Sequence, residues 1–262
     1  MAIGVLAFQG SFNEHIAALR RIGVKGVEIR KPEQLENVGA LIIPGGESTT
    51  MAKLAEFHNM FPALREFVKM GKPVWGTCAG LIFLANKVVG QKAGGQELVG
   101  GLDCTVHRNF FGSQIQSFEA DISVPHIADK EGGPPGFRGV FIRAPAILEV
   151  GSEVEVLAEV PVPDTLKNSD AAKESAEVNP ESLNKVIVAV KQRNLLGTAF
   201  HPELTADSRW HLYFIKMVND LSQETETETE TESESESTSS IIKAGDLGAL
   251  QDQKIELPIY LP

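Results

Sequence analysis

A cysteine framed by small residues is the feature of this sequence with the clearest chemical meaning. Residues 76–80 read Gly-Thr-Cys-Ala-Gly and follow the apolar residues 73–75. This pattern is typical of a nucleophile elbow, a sharp strand-to-helix turn that lifts the reactive atom above the sheet. The helix predicted over residues 81–87 would stabilise a thiolate at Cys78 through its N-terminus. The alternative is a buried structural cysteine, and the motif alone leaves the two interpretations even.

A second segment carries a candidate base. His-Pro-Glu at 201–203 follows the apolar run 195–200. A cysteine nucleophile needs a base to take its proton, and the base needs a group that orients it. His201 can be that base and Glu203 the orienting group, because residues two apart on an extended chain point the same way. Taken alone, His201 would be interpreted as a structural histidine.

A third segment offers the anion-stabilising groups that acyl chemistry requires. The predicted buried strand 41–43 is followed by Pro-Gly-Gly-Glu-Ser-Thr-Thr at 44–50. Glycines at a strand end let backbone N–H groups point into a cleft. The N–H groups near Gly46 and of Ala79 would form an oxyanion hole. The alternative is a plain turn into a helix capped by Ser48 or Thr49, which is compatible with the first interpretation.

With these segments in hand, the chain resembles the class I (triad) glutamine amidotransferases. More narrowly, it is similar to the glutaminase subunits of two-component pyridoxal 5′-phosphate synthases. The motifs shared with amidotransferases of many pathways are GTCAGL at 76–81 and HPE at 201–203. The matches that narrow the resemblance are GVLAFQG at 4–10 with Glu14 and His15, PGGEST at 44–49, Arg108-Asn109 with Phe111-Gly112, SFEA at 117–120, GVFIRAP at 139–145 and FHPELT at 200–205. They cover residues 1 to about 220 in the family's order.

The resemblance implies a role for each matched residue. Cys78 would be the nucleophile, with His201 and Glu203 as its partners. Gly46, Glu47, Ser48, Arg108, Ile142 and Arg143 would contact L-glutamine, whose carboxylate and ammonium need charged or carbonyl partners. Without the resemblance, both arginines would be interpreted as surface salt-bridge residues and Glu47 as compensation of a helix dipole.

The resemblance also implies hydrolysis of glutamine to glutamate and ammonia, and a synthase partner that receives the ammonia. Gln9 and Gly10 end the first predicted strand beside the proposed oxyanion hole, so we expect them to transmit docking of that partner. Alternatively, Gln9 only caps a turn. Neither a cofactor nor a metal is expected. The rival interpretations are a glutaminase subunit of another pathway and a DJ-1-like cysteine protein for redox sensing or protein handling.

Composition narrows the class of protein. The chain has 262 residues, 42% of them hydrophobic, a net charge of −11 and two cysteines. The negative net charge argues against nucleic-acid binding, and two cysteines are too few to suggest a disulfide framework. No run of residues is long and apolar enough for a membrane span. Cys104 is expected in the core. We expect a cytoplasmic protein.

Two polar segments set the predicted domain organisation. From 224 to 236 every second residue is Glu, alternating with Thr or Ser. Such a run repels itself and buries little, so residues 222–262 are predicted to be a disordered tail. Residues 161–184 are interpreted as a polar loop insertion within a glutaminase domain of residues 1–221.

The remaining pattern alternates strands and helices. Strands are predicted at 3–8, 27–30, 41–43, 74–76, 154–160 and 186–191, and helices at 13–21, 51–56, 63–70 and 208–221. This order predicts a three-layer α/β fold with a largely parallel central sheet, helices on both faces and active residues at the carboxyl ends of strands.

Overall fold

The structure, a computed structural model, describes residues 2–90, 95–108, 110–111, 117–164, 184–221 and 223. The chain divides into two compact units, Met1–Val218 and Asn219–Pro262. Of the second unit, residues 219–221 and 223 are described, and they are helical. Most of the predicted tail and of the predicted loop 161–184 lies outside the described residues. Within the described ranges, no helix is long and apolar enough to cross a membrane.

A parallel half-sheet forms the centre of the first unit. Its strands, in spatial order, are β2 (Gly26–Ile29), β1 (Ile3–Leu6), β3 (Ala40–Ile43), β4 (Val74–Thr77) and β12 (Leu195–Thr198). Four of the five are fully buried along their length, as expected for strands covered on both faces. The carboxyl ends of parallel strands meet at one edge, so the loops that follow β1, β3, β4 and β12 come together there.

The sheet continues beyond β12 with mostly antiparallel pairing. The additional strands are β5 (Ala85–Val89), β6 (Leu102–His107), β9 (Ala146–Val150), β10 (Glu155–Pro161) and β11 (Lys185–Gln192). Strand β11 pairs antiparallel with β12, β9 and β10, and β6 pairs antiparallel with β9 but parallel with β5. Strands β7 (Ser117–Ser123) and β8 (Gly136–Ile142) form a separate antiparallel pair. Five of the nine ladders of the large sheet are parallel, so it is largely parallel, although the antiparallel half was not predicted.

Helices cover both faces of the parallel half. They are α1 (Phe12–Arg21), α2 (Ser48–Phe57), α3 (Met60–Lys69), α4 (Ala79–Leu84) and α6, which begins at residue 209 and continues to the end of the unit at Val218. A further helix, α5 (Pro125–Glu131), connects β7 to β8. On β4, the Trp75 ring contacts His15 of α1 and His211 of α6. The next residue, Gly76, faces the backbone of α4. Successive residues of a strand point to opposite faces, so α1 and α6 cover one face and α4 the other.

The helix after Cys78 differs from the prediction. It begins at Ala79, two residues earlier than expected, and it ends at Leu84. Residues Ala85–Val89 form strand β5, which pairs in parallel with β6. The pairing with β6 determines the structure of this segment, although its local pattern favours a helix. Residue propensities describe only the local sequence, so they do not predict this pairing.

Cys104 is a core residue, as predicted. It lies on β6 and is 4% exposed. Burial, with a smaller contribution from Asp103, raises the pKa of its thiol to about 12. A thiol that does not ionise at neutral pH is a poor nucleophile, so Cys104 has a packing role.

Candidate active site

The turn at Cys78 has the geometry of a nucleophile elbow. Strand β4 ends at Thr77 and α4 begins at Ala79, with Cys78 between them at φ 49° and ψ −101°. Positive φ is costly for a residue with a side chain and persists where the surroundings impose it. The Cys78 N–H donates to the Thr198 carbonyl of β12 at 2.7 Å. Gly80 is required because a Cβ there would lie 1.9 Å from the Ile43 carbonyl oxygen.

Strand β12 places His201 beside this turn. Thr198 is in register with Thr77, so the residues that follow each strand leave the sheet side by side. The His201 N–H donates to the Val140 carbonyl of β8 at 2.8 Å. Strand β8 also brings the Ile142 carbonyl oxygen to 3.9 Å from Cys78 Sγ. Three separate parts of the chain therefore meet around the thiol.

Glu203 lies behind His201, on a short 3₁₀ helix over Pro202–Leu204. His201 Nδ1 is 2.7 Å from Glu203 Oε1, and the Ser11 hydroxyl donates to the same oxygen at 2.5 Å. Both members of the His–Glu pair are buried, at 6% and 4% exposed. The three side chains therefore follow one another in space as Cys78, His201 and Glu203, the order predicted for a nucleophile, its base and the group that orients the base.

The electrostatics of the site favour a protonated His201 next to an ionised Glu203. Burial alone would lower the pKa of His201, but the adjacent Cys78 sulfur and the Glu203 carboxylate outweigh it and hold that pKa well above its usual value. Burial would raise the pKa of Glu203, but His15, His201 and Ser11 outweigh it and lower that pKa to about 2. Glu203 is therefore ionised at neutral pH, and His201 holds a proton facing the sulfur.

The loop after β3 is fixed to the end of β1. The Gly45 carbonyl accepts from the Ser11 N–H at 3.0 Å, and the Gln9 side-chain oxygen accepts from the Glu47 N–H at 2.8 Å. Gly10 has φ 92°, and a Cβ there would lie 1.8 Å from the Gly45 oxygen. In a trans peptide the N–H points opposite to the C=O, so the Gly46 N–H points away from Ser11.

Glu47 caps the helix that follows this loop. Its carboxylate accepts from the N–H groups of Thr49 and Thr50 and from the Thr50 hydroxyl. The caps offered by the alternative interpretation, Ser48 and Thr49, are wrong, because α2 begins at Ser48, one residue earlier than a Ser48 cap and two residues earlier than a Thr49 cap would require. Burial would raise the pKa of Glu47, but the Thr50 and Thr49 donors and Arg108 outweigh it and lower that pKa.

Arg108 connects Glu47, the cap of α2, to the end of strand β6. Its guanidinium donates to Glu47 Oε1 at 3.2 Å and to the Thr49 hydroxyl at 2.6 Å. Arg108 directly follows β6, in the antiparallel half of the sheet. The side chain is 24% exposed, which leaves part of the guanidinium open to a ligand.

These groups surround one cavity of about 710 Å³, a size that suits a small-molecule ligand. Of the residues predicted from the sequence, those that line it are Gln9, Gly46, Glu47, Ser48, Cys78, Ala79, Arg108, Ile142, Arg143 and His201. Thr49, Ile82, Gly90 and Gly95 also line it and had not been singled out as contacts. Glu203 and Gly10 are not part of the lining; Glu203 lies behind His201, and Gly10 supports the loop at Gly45. Arg143 has φ 44°, a second strained residue at the cavity wall.

Ser11, Thr77 and His211 also belong to the site region and were not predicted. Ser11 binds Glu203, while Thr77 and His211 contact His15, which the sequence resemblance included without a role. No local signal marks these residues, because their partners are distant in the chain: 192 positions for Ser11 and Glu203, 196 for His15 and His211, and 62 for His15 and Thr77.

Comparison with known proteins shows to which family this chain belongs. A profile of the SNO glutamine amidotransferase family matches residues 5–220. This chain belongs to the SNO glutamine amidotransferase family. The amidotransferase is 66% identical over 264 residues to the probable pyridoxal 5′-phosphate synthase subunit PDX2 of Arabidopsis thaliana, with 99% of this chain and all of the relative covered. It is 44% identical over 220 residues to the pyridoxal 5′-phosphate synthase subunit PdxT of Dehalococcoides mccartyi, with 84% of this chain and 98% of the relative covered.

A solved structure confirms the fold class of this amidotransferase. A crystal structure described as a glutamine amidotransferase superposes with a TM-score of 0.66 at 41% identity, and the match covers 83% of this chain and 98% of that one. The predicted α/β fold of the glutamine amidotransferase class is therefore right. Residues 221–262 lie outside the family match.

Proposed function

We propose that this amidotransferase is the glutaminase subunit of a pyridoxal 5′-phosphate synthase and serves vitamin B6 biosynthesis. It hydrolyses L-glutamine to L-glutamate and ammonia. The observation that carries the proposal is the line of Cys78, His201 and Glu203 at the wall of a ligand-sized cavity, in a chain that belongs to a glutamine amidotransferase family. Relatives described as pyridoxal 5′-phosphate synthase subunits support the choice of pathway.

The chemistry follows from the positions of the three side chains. With its proton held on His201, the Cys78 thiolate attacks the carboxamide carbon of glutamine, and the oxygen becomes an oxyanion. The N–H groups of Gly46 and Ala79 are the proposed donors to that oxyanion. His201 gives its proton to the departing ammonia, and a water molecule then hydrolyses the glutamyl thioester. Glu203 keeps the imidazole oriented through both steps.

The charged groups of the cavity suit the two ends of a free amino acid. Arg108 and Arg143 are the proposed partners of the glutamine carboxylate, and Glu47 of its ammonium. Ser48 and the backbone at Ile142 complete the proposed substrate contacts. The pairing of Glu47 with Arg108 supports this assignment, because it sets groups of opposite charge side by side before the substrate arrives.

The released ammonia is useful to a synthase only if it is transferred before it is protonated in water. We therefore propose that an ammonia-accepting synthase subunit docks at the rim of the sheet near Gln9 and Gly10. We further propose a cytoplasmic location, which the two free cysteines Cys78 and Cys104 support because the cytosol keeps thiols reduced.

Substitution of Cys78 tests the proposal. In the complex with the synthase subunit, Cys78→Ala or Cys78→Ser should abolish synthesis of pyridoxal phosphate from glutamine but leave synthesis from added ammonium salt nearly intact. The reason is that Cys78 serves only to release ammonia. Both syntheses are measured by product absorbance, with Cys104→Ser, a change of the buried core cysteine, as the matched control.

Two outcomes would contradict the proposal. Glutamate release that persists in Cys78→Ala would exclude the triad, and loss of both syntheses in a folded variant would exclude the division of labour. Absence of any glutamate release by the parent complex would favour a redox or protein-handling role, which needs the cysteine but not the His–Pro–Glu segment.

A further inference from the structure

A row of buried polar side chains lies behind the triad, on the face of the sheet covered by α1 and α6. His15 of α1, Thr77 of β4 and His211 of α6 are each 0% exposed. Buried histidines in contact cost solvation free energy, which a purely packing role would avoid by using apolar residues. The chemistry described above does not use them, although they end at Glu203.

The distances define a continuous connection. His211 Nε2 is 3.1 Å from His15 Nδ1, and His15 Nε2 is 3.4 Å from Glu203 Oε2. His15 Nε2 is also 3.2 Å from the Thr77 hydroxyl. Glu203 Oε1 receives His201 and Ser11, as described above. The two oxygens of the carboxylate therefore face two different sets of partners.

The charge on Glu203 fixes the protons along this row. Glu203 Oε2 has no hydrogen-bond partner among the described residues, but a lone pair on His15 Nε2 at 3.4 Å would repel this carboxylate oxygen, so Nε2 carries a hydrogen and donates it to the Thr77 hydroxyl. A neutral imidazole has one N–H, so His15 Nδ1 is then an acceptor, and His211 Nε2 must donate to it. His211 Nδ1 is left as a lone pair with no hydrogen-bond partner in the described part of the chain.

We propose that His15, oriented by its hydrogen bonds with His211 and Thr77, is a positioning residue for the triad: its Nε2 edge lies 3.4 Å from the second oxygen of Glu203 and holds that oxygen electrostatically, and so fixes the carboxylate plane against which the His201 imidazole is aligned. This inference rests on the proposed function, because it assigns His15 a role through Glu203. It explains why a histidine of α1 is buried at the base of the elbow, next to the residue that precedes Cys78.

The surroundings of His15 keep it neutral. The charged or titratable groups that act on it are Glu203, His201 and, on its own helix, Glu14; His211 faces its other nitrogen, and Arg21 acts on His211. Burial lowers the pKa of His15, only partly opposed by Glu203. Burial, reinforced by His15, lowers the pKa of His211 to about 3. Both rings therefore stay neutral at physiological pH, as the proton arrangement requires.

The test is a double-mutant cycle between His15→Leu and Glu203→Gln, measured as kcat and KM for glutamate release with the synthase subunit saturating. We expect His15→Leu to lower kcat about 10- to 100-fold, because the Glu203 carboxylate loses its polar neighbour at Oε2 and the His201 imidazole loses its alignment. KM should stay within about two-fold, because His15 does not line the cavity. In the Glu203→Gln background, His15→Leu should lower kcat by less than about two-fold.

Two further readouts separate positioning from a general structural role. His15→Gln keeps an N–H at the position of Nε2 and should restore most of kcat. In His15→Leu the acid limb of the kcat/KM profile should move to higher pH, because Glu203 loses a polar neighbour that stabilises its ionised form. His126→Leu, a change of an exposed histidine of α5 paired with Glu155, is the matched control and should leave all of these values unchanged.

If His15→Leu does not fold, His211→Phe provides the same test. It preserves the edge-to-face contact with Trp75 but removes the donor that fixes the His15 proton. It should lower kcat several-fold in the parent and not in Glu203→Gln. An unchanged kcat in the variants of both histidines, or an equal loss in both backgrounds, would overturn the proposal. Glutamate release that survives Cys78→Ala would instead overturn the proposed function.

Discussion

Glu203 is a buried carboxylate with two hydrogen-bond partners at Oε1 and the His15 ring 3.4 Å from Oε2, and this makes its ionisation a source of stability. The folded-state pKa is about 2, against an ordinary value of 4.5. A group with a lowered pKa stabilises the fold above its unfolded pKa, and that contribution is lost as the pH falls towards the folded value. The full difference corresponds to about 3 kcal/mol, and this is the upper limit of the contribution at neutral pH, because part of the lowering of this pKa comes from a charge on His15, which is neutral at that pH.

We therefore expect a pH-dependent effect of Glu203→Gln. Urea unfolding at about pH 7 should show the variant less stable than the parent by at most about 3 kcal/mol, and the difference should shrink as the pH is lowered below about 5. Glu119→Gln is the control, because Glu119 pairs with Arg138 at the surface and should contribute less than about 1 kcal/mol. A difference for Glu203→Gln that does not change with pH would show that the loss comes from packing and not from charge.

At the scale of elements, the sequence predicts the parts of the site that are local in the chain. The elbow, the His–Pro–Glu segment and the glycine loop each lie within a few residues and follow a buried strand. Patterns of period two or 3.6 locate such strands and helices. Because β3, β4 and β12 are parallel, their carboxyl ends lie at one edge of the sheet. The segments that follow these strands therefore meet there, which is why most of the predicted residues line the cavity.

What sequence patterns miss depends on contacts between distant elements. Residues 85–87 of strand β5 were expected to be helical, because the pairing of β5 with β6 is not visible locally. The antiparallel half of the sheet, which supplies Arg108, was missed for the same reason. His15 and His211 are almost 200 residues apart and meet only because α1 and α6 cover the same face.

At the N-terminus of α2, a single residue, Glu47, belongs both to the helix cap and to the candidate active site. Glu47 caps the helix and pairs with Arg108, so helix capping and substrate binding, two alternatives at the level of sequence, are both compatible with the structure. Glu47→Ala removes both interactions, whereas Glu47→Gln keeps an oxygen that can accept from the helix N–H groups but removes the charge.

We expect Glu47→Ala to lose about 1 kcal/mol of stability through the cap, and Glu47→Gln to lose less. Both should raise KM for glutamine at least about ten-fold, because an ionic contact to a free amino acid is lost. Urea unfolding and steady-state kinetics with saturating synthase subunit measure the two effects separately. A parent-like KM for Glu47→Gln would limit Glu47 to helix capping.

At the scale of the whole molecule, the site is built across the rim where a partner is proposed to dock. Gln9 and Gly10 lie in the loop that follows β1, and both hold the loop that carries the proposed oxyanion donor Gly46. The predicted domain boundary at 221/222 and the disordered tail stay predictions, because residues 224–262 lie outside the described residues. The family match ends at residue 220, so the predicted tail lies outside it.

This arrangement predicts that the isolated chain is a poor glutaminase and that the synthase subunit activates it. An always-active enzyme would consume glutamine and release ammonia to solvent. Glycines let the peptide between Gly45 and Gly46 turn either its N–H or its C=O towards the cavity, and an inward carbonyl would repel the oxyanion. Losing one such donor costs about 3–4 kcal/mol, or roughly 10²–10³ in rate, so partner docking that selects the inward N–H would produce a large activation.

Gln9 is the residue through which we expect this activation to pass. Its side-chain oxygen binds the Glu47 N–H at 2.8 Å and thereby fixes the peptide after Gly46. Glutamate release should rise on adding the synthase subunit to the parent chain, and Gln9→Ala should lose most of that rise while its basal rate changes little. Gln34→Ala is the matched control, because Gln34 accepts from the backbone at Arg30 and Lys31, remote in sequence from the site loops. Full activity of the isolated parent chain, unchanged by saturating partner, would exclude the switch. Activation that persists in Gln9→Ala would leave the switch in place but assign its transmission to another contact, with Gly10 and the Ser11–Gly45 hydrogen bond as the next to be tested.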